Sequence, residues 1–191
     1  MKIGLFFGSF NPIHIGHLAI ANYIVEYSDI DQLWFIISPQ NPFKKKSSLL
    51  ADYHRLEMVN MAIADYPKFR ASDIEFKLPK PSFTIDTLAY LHEKYPQHSF
   101  VLIIGSDQLP TFDKWKNFEE IIANYTRYIY PRPGSEKYRL NPVENAQWFD
   151  APLLDISSSF VRQAIKEKKE LSFFLPPRVF DYIRQMHFYE K

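Results

Sequence analysis

The chain has no cysteine, and this absence excludes disulfides, thiolate metal sites and thiol nucleophiles together. Net charge is nearly absent as well, with 23 Lys and Arg against 22 Asp and Glu, so composition gives no electrostatic reason to expect broad binding to nucleic acid or membranes. The amino-terminal apolar run breaks at Gly8, too short for a signal peptide and far below the roughly 20 residues that span a bilayer. We therefore expect a cytoplasmic protein without a targeting segment, which holds any anionic ligand locally.

The length and composition are typical of a protein with a single core. The chain has 191 residues, of which 46% are hydrophobic and 17% aromatic. A chain of this size buries enough surface to fold as one unit. We expect one domain over residues 1–191.

Apolar runs alternate with stretches of helical spacing along the chain. The runs predicted to form buried strands are residues 2–7, 32–38, 98–106 and 126–132. The predicted helices are residues 18–27, 51–64 and 84–95, one that opens at 157–159, and one after the prolines at 176 and 177. Stretches 38–49 and 133–150 are predicted to be loops. This alternation predicts an α/β fold with a Rossmann-like, doubly wound parallel sheet and C-terminal helices.

Three of the predicted strand ends carry unusual residues. These are residues 8–17, 39–46 and 105–107. Ligands of open parallel sheets bind outside the carboxyl ends of the strands, where the strand order reverses. We expect the functional site at these three segments.

The stretch FGSFNPIHIGHL, residues 7–18, has the features of a phosphate site. Gly8 and Gly16 allow the backbone to approach a bulky ligand, and a helix that begins near Gly16 offers unpaired N–H groups and a positive dipole end. His14 and His17 are spaced to point the same way, and each can donate a hydrogen bond to phosphate. The stretch predicts a polyphosphate cradle without a Walker lysine.

Two other interpretations of these histidines stay open at this point. His14 could cap a turn while His17 is an ordinary surface residue. A zinc site is weaker, because only two ligands are close together and no HExxH motif or third carboxylate accompanies them.

Residues 8–17 resemble the GxFxPxHxGH signature of the nucleotidylyltransferase superfamily. Residues 156–162, ISSSFVR, resemble its second signature, ISSTxIR, with Ser for Thr and Val for Ile. Serines at a helix start leave neighbouring N–H groups for an anion, and Arg162 can bind phosphate bidentately. By itself this segment is equally a serine-capped helix with a solvent arginine. The two motifs together imply the nucleotidylyltransferase type of fold and a binding site for ATP.

Further segments narrow the resemblance to the bacterial nicotinate-nucleotide adenylyltransferases. They are IIGSDQLPTFDKWKNFEEII (103–122), KPSFTIDTL (80–88), IYPRPG (129–134) and LPPRV (175–179). The resemblance implies adenylyl transfer from ATP to nicotinate mononucleotide, a step of NAD biosynthesis that yields nicotinate adenine dinucleotide and pyrophosphate. It implies that Mg²⁺ enters with ATP and that no residue ligates a metal of the protein's own. A homo-oligomer is compatible with the sequence, which does not fix the oligomeric state.

The resemblance also implies roles for individual residues. The implied catalytic residues are His14, His17 and Arg162, with His17 on the α-phosphate and Arg162 with Ser158 on the leaving β- and γ-phosphates. The residues implied in ATP binding are Gly8, Ser9, Phe10, His14, Gly16, His17, Lys44, Gly105, Arg132, Ile156, Ser157, Ser158 and Arg162. Those implied in nicotinate mononucleotide binding are Ser9, Phe83, Thr84, Asp107, Trp115 and Lys116.

Simpler explanations stand beside several of these roles. Trp115 and Phe83 could be core aromatics, Asp107 could cap a helix, and Lys44 could belong to a solvated lysine run. The chain also departs from many relatives, with Phe7 in place of the first glycine and Phe43 in place of a loop histidine.

Other functions compete with this one. The nearest alternatives are an adenylyltransferase for nicotinamide mononucleotide or phosphopantetheine, and a cytidylyltransferase. A nucleotide-binding regulator without turnover is an alternative of a different class. A fragment of an aminoacyl-tRNA synthetase is disfavoured, because no KMSKS segment accompanies the HxGH element.

Overall fold

The computed structural model of the protein describes residues 1–39, 49–135, 138 and 143–190. Six parallel strands form one sheet, in the order β3-β2-β1-β4-β5-β6. The strands are β1 (Lys2–Gly8), β2 (Gln32–Ile37), β3 (Phe69–Ser72), β4 (Ser99–Gly105), β5 (Arg127–Tyr130) and β6 (Ala146–Trp148).

Helices connect these strands and follow the last one. They are α1 (Ile15–Tyr27), α2 (Asp52–Ile63), α3 (Thr84–Lys94), α4 (Phe118–Asn124), α5 (Ser158–Lys166) and α6 (Pro177–Gln185). Two 3₁₀ helices, Ile74–Lys77 and Ser106–Lys114, follow β3 and β4. None of the described helices has the length and apolar character that a bilayer crossing requires.

The strand order reverses between β1 and β4, which are neighbours in the sheet although two strands separate them in the chain. Phe6 of β1 lies opposite Phe35 of β2 on one side and Ile103 of β4 on the other. The chain leaves β1 at Gly8 and β4 at Gly105, so two glycines stand at the carboxyl edge of the reversal. Ligands of doubly wound sheets bind at such a point.

Alternating side chains of the strands fill two cores, one on each face of the sheet. Phe6 belongs to the face that is covered by α1, α2, α5 and α6, whereas Leu5 belongs to the face covered by α3 and α4. Both residues are buried, with 4% and 0% of their surface exposed. The loop of residues 8–14 after β1, here called the motif loop, and helix α5 therefore lie on the same side of the sheet.

The predicted α/β, doubly wound fold is confirmed. The prediction that 133–150 is a loop is wrong at β6, a three-residue edge strand whose short length gives little periodicity. Strand β3 and helix α4 also went unpredicted, since four and seven residues carry a weak pattern. Helix α1 begins at Ile15, three residues before the predicted start, because His14 occupies the N-cap position.

Candidate active site

The two histidines of the opening motif lie together at the start of α1. Their rings stack with centroids 3.7 Å apart. The backbone N–H of His14 donates to Nδ1 of His17 over 3.3 Å, which assigns the ring proton of a neutral His17 to Nε2. The edge of Phe10 packs against the His17 ring, at 5.1 Å between centroids. His17 is therefore held as an Nε2–H donor at the carboxyl edge of β1.

His14 differs from its neighbour in being buried, with 3% of its surface exposed. Its Nδ1 has no hydrogen-bond partner among the described residues. Burial first, and then the charge of Arg132, lower the pKa of His14 to about 4. His14 is therefore neutral at pH 7 and can donate from one ring nitrogen only.

This buried histidine should make the protein sensitive to acid. Because the pKa of His14 is about 4 in the folded protein and about 6.5 in the unfolded chain, the unfolded state takes up the proton first as the pH falls. Between pH 6.5 and pH 4 we expect the wild type to lose about 3 kcal/mol more unfolding free energy than His14→Gln. Urea unfolding at several pH values measures this difference.

His92→Gln is the matched control, because His92 is an exposed histidine of α3. The control should follow the wild-type pH curve. If the unfolding free energies of the wild type and His14→Gln fall equally as the pH is lowered, the neutral, buried state of His14 is contradicted.

The fully buried Arg55 of α2 anchors the motif loop from behind. Its Nη1 donates to the carbonyl oxygens of Ser9 (2.6 Å) and Ser38 (2.9 Å), and its Nε donates to that of Leu50 (3.0 Å). Its Nη2 pairs with Asp52 at 2.6 Å. One arginine thus ties the loop after β1 to the end of β2. No role was predicted for Arg55, because its isolated position in a helical pattern gives no signal of burial.

Helix α5 approaches the same loop from another direction. Arg162 donates from Nη1 to the carbonyl oxygen of Asn11 over 2.8 Å, and the Ser158 hydroxyl donates to the carbonyl oxygen of Pro12 over 2.8 Å. Ser157 caps the helix by accepting from the N–H three residues later. The two sequence motifs are in contact. The sequence predicted that Arg162 and Ser158 bind phosphates. In the structure both donate to carbonyl oxygens of the motif loop, which was not predicted.

The end of the chain also reaches this loop. The Tyr189 hydroxyl donates to Oδ1 of Asn11 over 2.7 Å, and the Leu50 N–H donates to the same oxygen over 3.2 Å. The carbonyl oxygen of Gly8 accepts from the N–H of Ser38. These oxygens of the motif loop already accept hydrogen bonds from the protein. They therefore repel less an anion that binds to the N–H groups of the same loop.

Gly8 and Gly16 of the motif are closely packed by the protein's own side chains. A Cβ at Gly8 would lie 2.7 Å from the Phe10 ring, and a Cβ at Gly16 would lie 3.1 Å from Nδ1 of His14 and 3.4 Å from Ile156. Phe10 is buried with a φ of 44°, so its ring packs inside the protein behind the turn that it makes. Phe7 packs on the opposite core, so its departure from the family pattern lies away from the motif loop.

The end of β4 lies next to the end of β1 at the carboxyl edge of the sheet, where the strand order reverses. A Cβ at Gly105 would meet the side chains of Asp107 and Arg132, so the absence of a side chain here lets both residues pack close to the strand end. Asp107 is exposed in the first turn of the 3₁₀ helix, where Gly105 and not Asp107 is the N-cap. The Arg132 N–H donates to the Ser106 hydroxyl over 2.9 Å. Arg132 is thus held at this edge, close enough to His14 for its charge to act on that ring.

The remaining predicted residues cluster at the start of α3. The ammonium of Lys116 lies 2.9 Å from both carboxylate oxygens of Asp86 and 5.1 Å from the centre of the Phe83 ring. Trp115 is half-buried against Phe112, at 4.9 Å between ring centroids. Thr84 is the first residue of the helix. Neither Trp115 nor Phe83 is a fully buried core residue.

Lys44 lies outside the described residues. No three His, Asp or Glu side chains in the described part of the chain come close enough together to hold a metal ion.

Comparison with known proteins gives the family. The cytidylyltransferase-like family matches residues 5–164. A protein of Cytophaga hutchinsonii named probable nicotinate-nucleotide adenylyltransferase is 53% identical over 99% of this chain and 98% of its own length. A protein of the same name from Flavobacterium johnsoniae is 51% identical over the full length of both chains. A third, from Bacteroides thetaiotaomicron, is 49% identical over 97% of this chain and 92% of its own length.

The fold is also that of a solved relative. The structure of Plasmodium falciparum nicotinic acid mononucleotide adenylyltransferase complexed with NaAD matches with a TM-score of 0.82, over 99% of this chain and 97% of that chain, at 22% identity. The fold, the contact between the two motifs and the full-length identity of about one half agree, and the chain belongs to the nicotinate-nucleotide adenylyltransferase family.

Proposed function

We propose that the protein transfers the adenylyl group of ATP to nicotinate mononucleotide, in the NAD biosynthesis step that releases pyrophosphate. The observation that carries the proposal is the placement of His14, His17 and Arg132 along one edge of the sheet, between the glycine ends of β1 and β4. Relatives with this name cover the whole chain at about 50% identity.

The reaction needs no protein nucleophile. A phosphate oxygen of nicotinate mononucleotide attacks the α-phosphorus of ATP in line, a P–O bond forms, and the bond to the β-phosphate oxygen breaks as pyrophosphate leaves. The attacking phosphate is already ionised at pH 7, so the protein is not required to remove a proton. Catalysis rests on positioning and on stabilising the charge that builds on the α-phosphate.

His17 supplies that stabilisation in our proposal. Its ring is fixed by the stack on His14 and by the bond that Nδ1 accepts, which leaves Nε2–H as the donor. A donor that is already oriented costs no reorganisation during the reaction. His14, neutral because of its burial, takes part as a second hydrogen-bond donor to the phosphate chain.

Arg162 and Ser158 take a supporting part in this mechanism. Both donate to motif-loop oxygens, so we assign them first to holding the loop, while the charge of the Arg162 guanidinium attracts the leaving phosphates. Direct contact between Arg162 and the β- and γ-phosphates stays a prediction. Mg²⁺ would enter as part of the ATP substrate, with phosphate oxygens and water as its ligands.

The acceptor occupies the region between α3 and Trp115 in our proposal. Nicotinate is a flat ring with a carboxylate, and Trp115 offers it an aromatic face. The first N–H groups of α3 have no acceptor within the helix, and they offer donors and a positive dipole end to the carboxylate. A cytoplasmic location stays a prediction, and a homo-oligomer is compatible with the sequence.

A pyrophosphate-release panel tests the proposal. ATP and CTP are each combined with nicotinate mononucleotide, nicotinamide mononucleotide and phosphopantetheine. We expect ATP with nicotinate mononucleotide to give the highest kcat/KM, at least about tenfold above every other pair, which corresponds to about 1.4 kcal/mol of discrimination.

Each other outcome of the panel selects a competing function. A higher kcat/KM with nicotinamide mononucleotide or phosphopantetheine would replace the acceptor, and a preference for CTP would replace the donor. No pyrophosphate from any pair would contradict the enzyme proposal and favour the nucleotide-binding regulator.

A further inference from the structure

Glu75 is a buried carboxyl group that the mechanism above does not use. It lies in the 3₁₀ helix after β3, with 2% of its surface exposed. Its Oε2 accepts from the Ser82 hydroxyl at 2.9 Å, and its Oε1 accepts from the Thr87 hydroxyl at 2.8 Å. The side chain of Ser38 is its third partner. These partners are all hydroxyl groups, so within the described part of the chain Glu75 is held by hydrogen bonds and by no ion pair.

The three partners belong to three different segments of the site. Thr87 lies in the first turn of α3, Ser82 lies in the turn that leads into this helix, and Ser38 follows β2. The N–H of Ser38 also donates to the carbonyl oxygen of Gly8 over 2.9 Å. One carboxyl group therefore connects the start of α3 to the loop edge that carries the ATP motif.

The helix held in this way begins with N–H groups that have no acceptor within the helix. Its N-cap residue is Phe83, and no side chain in the described part of the chain caps it. The Phe83 carbonyl oxygen accepts from the N–H groups of Asp86 and Thr87, whereas the N–H groups of Thr84 and Ile85 precede the first bonds of the helix. The direction of those two N–H groups is set by the turn that Glu75 fixes through Ser82 and Thr87.

We propose that Glu75 is a positioning residue for the acceptor, which fixes the start of α3 so that its N–H groups bind the carboxylate of the nicotinate ring. This inference rests on the proposed function, because it takes nicotinate mononucleotide as the acceptor. Burial raises the pKa of Glu75, while the bonds from Thr87, Ser38 and Ser82 lower it.

Steady-state pyrophosphate release by Glu75→Ala tests the inference. Wild-type turnover with nicotinate mononucleotide is measured first, so that failure of the proposed function is seen separately. Glu75→Ala should raise the KM for nicotinate mononucleotide about tenfold, the effect of losing one or two net hydrogen bonds that orient the donors. The KM for ATP should change less than about twofold, and the preference for the acid over the amide substrate should fall by about the same tenfold factor.

Two further variants separate positioning from general stability. Glu75→Gln keeps the size and one oxygen acceptor, and its amide can donate to a hydroxyl, so it should restore the KM to within about threefold of the wild type. Thr87→Val removes one bond while leaving Glu75 in place, and should raise the same KM about threefold. If Glu75→Ala does not fold, the KM ratio of Thr87→Val decides the question.

Asp73→Asn is the matched control, since Asp73 is a neighbouring, half-exposed acid that pairs with Lys77 at 3.5 Å. Its kinetic constants should match the wild type. The inference is overturned if the KM values for both substrates rise by the same factor, or if active Glu75→Ala and Thr87→Val lose thermal stability with an unchanged preference for the acid.

Discussion

Replacing His17 by alanine should lower kcat by roughly 10²-fold or more while the protein stays folded, on the scale of losing one transition-state donor. The ring offers Nε2–H at the carboxyl edge of β1, and its other nitrogen is already used by the N–H of His14. A donor that acts mainly on the developing charge lowers kcat and kcat/KM together. Pyrophosphate release at saturating ATP and acceptor measures the change.

His17→Asn provides an internal comparison. An asparagine at this position keeps an amide donor and an oxygen acceptor, although its side chain is shorter, so its kcat should lie between those of His17→Ala and the wild type. His92→Ala on the exposed surface of α3 should keep the wild-type kcat. An unaltered kcat in folded His17→Ala would remove His17 from the mechanism.

The fold was predictable because its signals are local. The buried runs of β1, β2 and β4 are continuous and apolar, and the helices between them have clear periodicity, so a parallel α/β sheet follows. The sheet edges were less predictable. Strand β6 has only three residues and is held in the sheet by its pairing with β5. Such a pairing between strands leaves no local pattern in the sequence.

The candidate site was predictable in its residues more than in its contacts. The spacing of His14 and His17 and the serines before Arg162 are visible in the sequence as motifs. The bond from Arg162 to the Asn11 carbonyl joins residues 151 positions apart, so only the packed chain shows it. The burial of His14 is likewise a product of packing, although it determines the protonation state of that histidine.

Arg55 and Glu75 are two buried charged residues whose burial could not be predicted from the sequence. Charged side chains are rarely buried without partners, so a pattern-based prediction places them on the surface. Both are nevertheless almost completely buried, and their partners include residues far away in the sequence, Ser9 for Arg55 and Ser38 for Glu75. The sequence indicates the groups proposed to bind the substrates, and the structure adds buried residues that hold the surrounding segments in place.

The second large effect should come from Arg55, whose replacement by methionine should lower the free energy of unfolding by about 3 to 5 kcal/mol. Methionine fills much of the same volume but leaves the buried carbonyl oxygens of Ser9, Ser38 and Leu50 without their charged donor. A loss of this size is a large part of the roughly 5 to 15 kcal/mol that stabilises a typical domain. Urea unfolding measures it.

Two further variants make this prediction specific to the geometry of Arg55. Arg55→Lys keeps the charge, and thus the pairing with Asp52, but a single ammonium cannot reach three carbonyl oxygens at once, so most of the loss should remain. Arg178→Met on α6 removes an exposed pair with Asp65 and should cost less than about 1 kcal/mol. Since Arg55 joins the motif loop to β2, folded Arg55→Lys should also raise the KM for ATP. Equal losses for Arg55→Met and Arg178→Met would mean that the buried guanidinium does not anchor the loop.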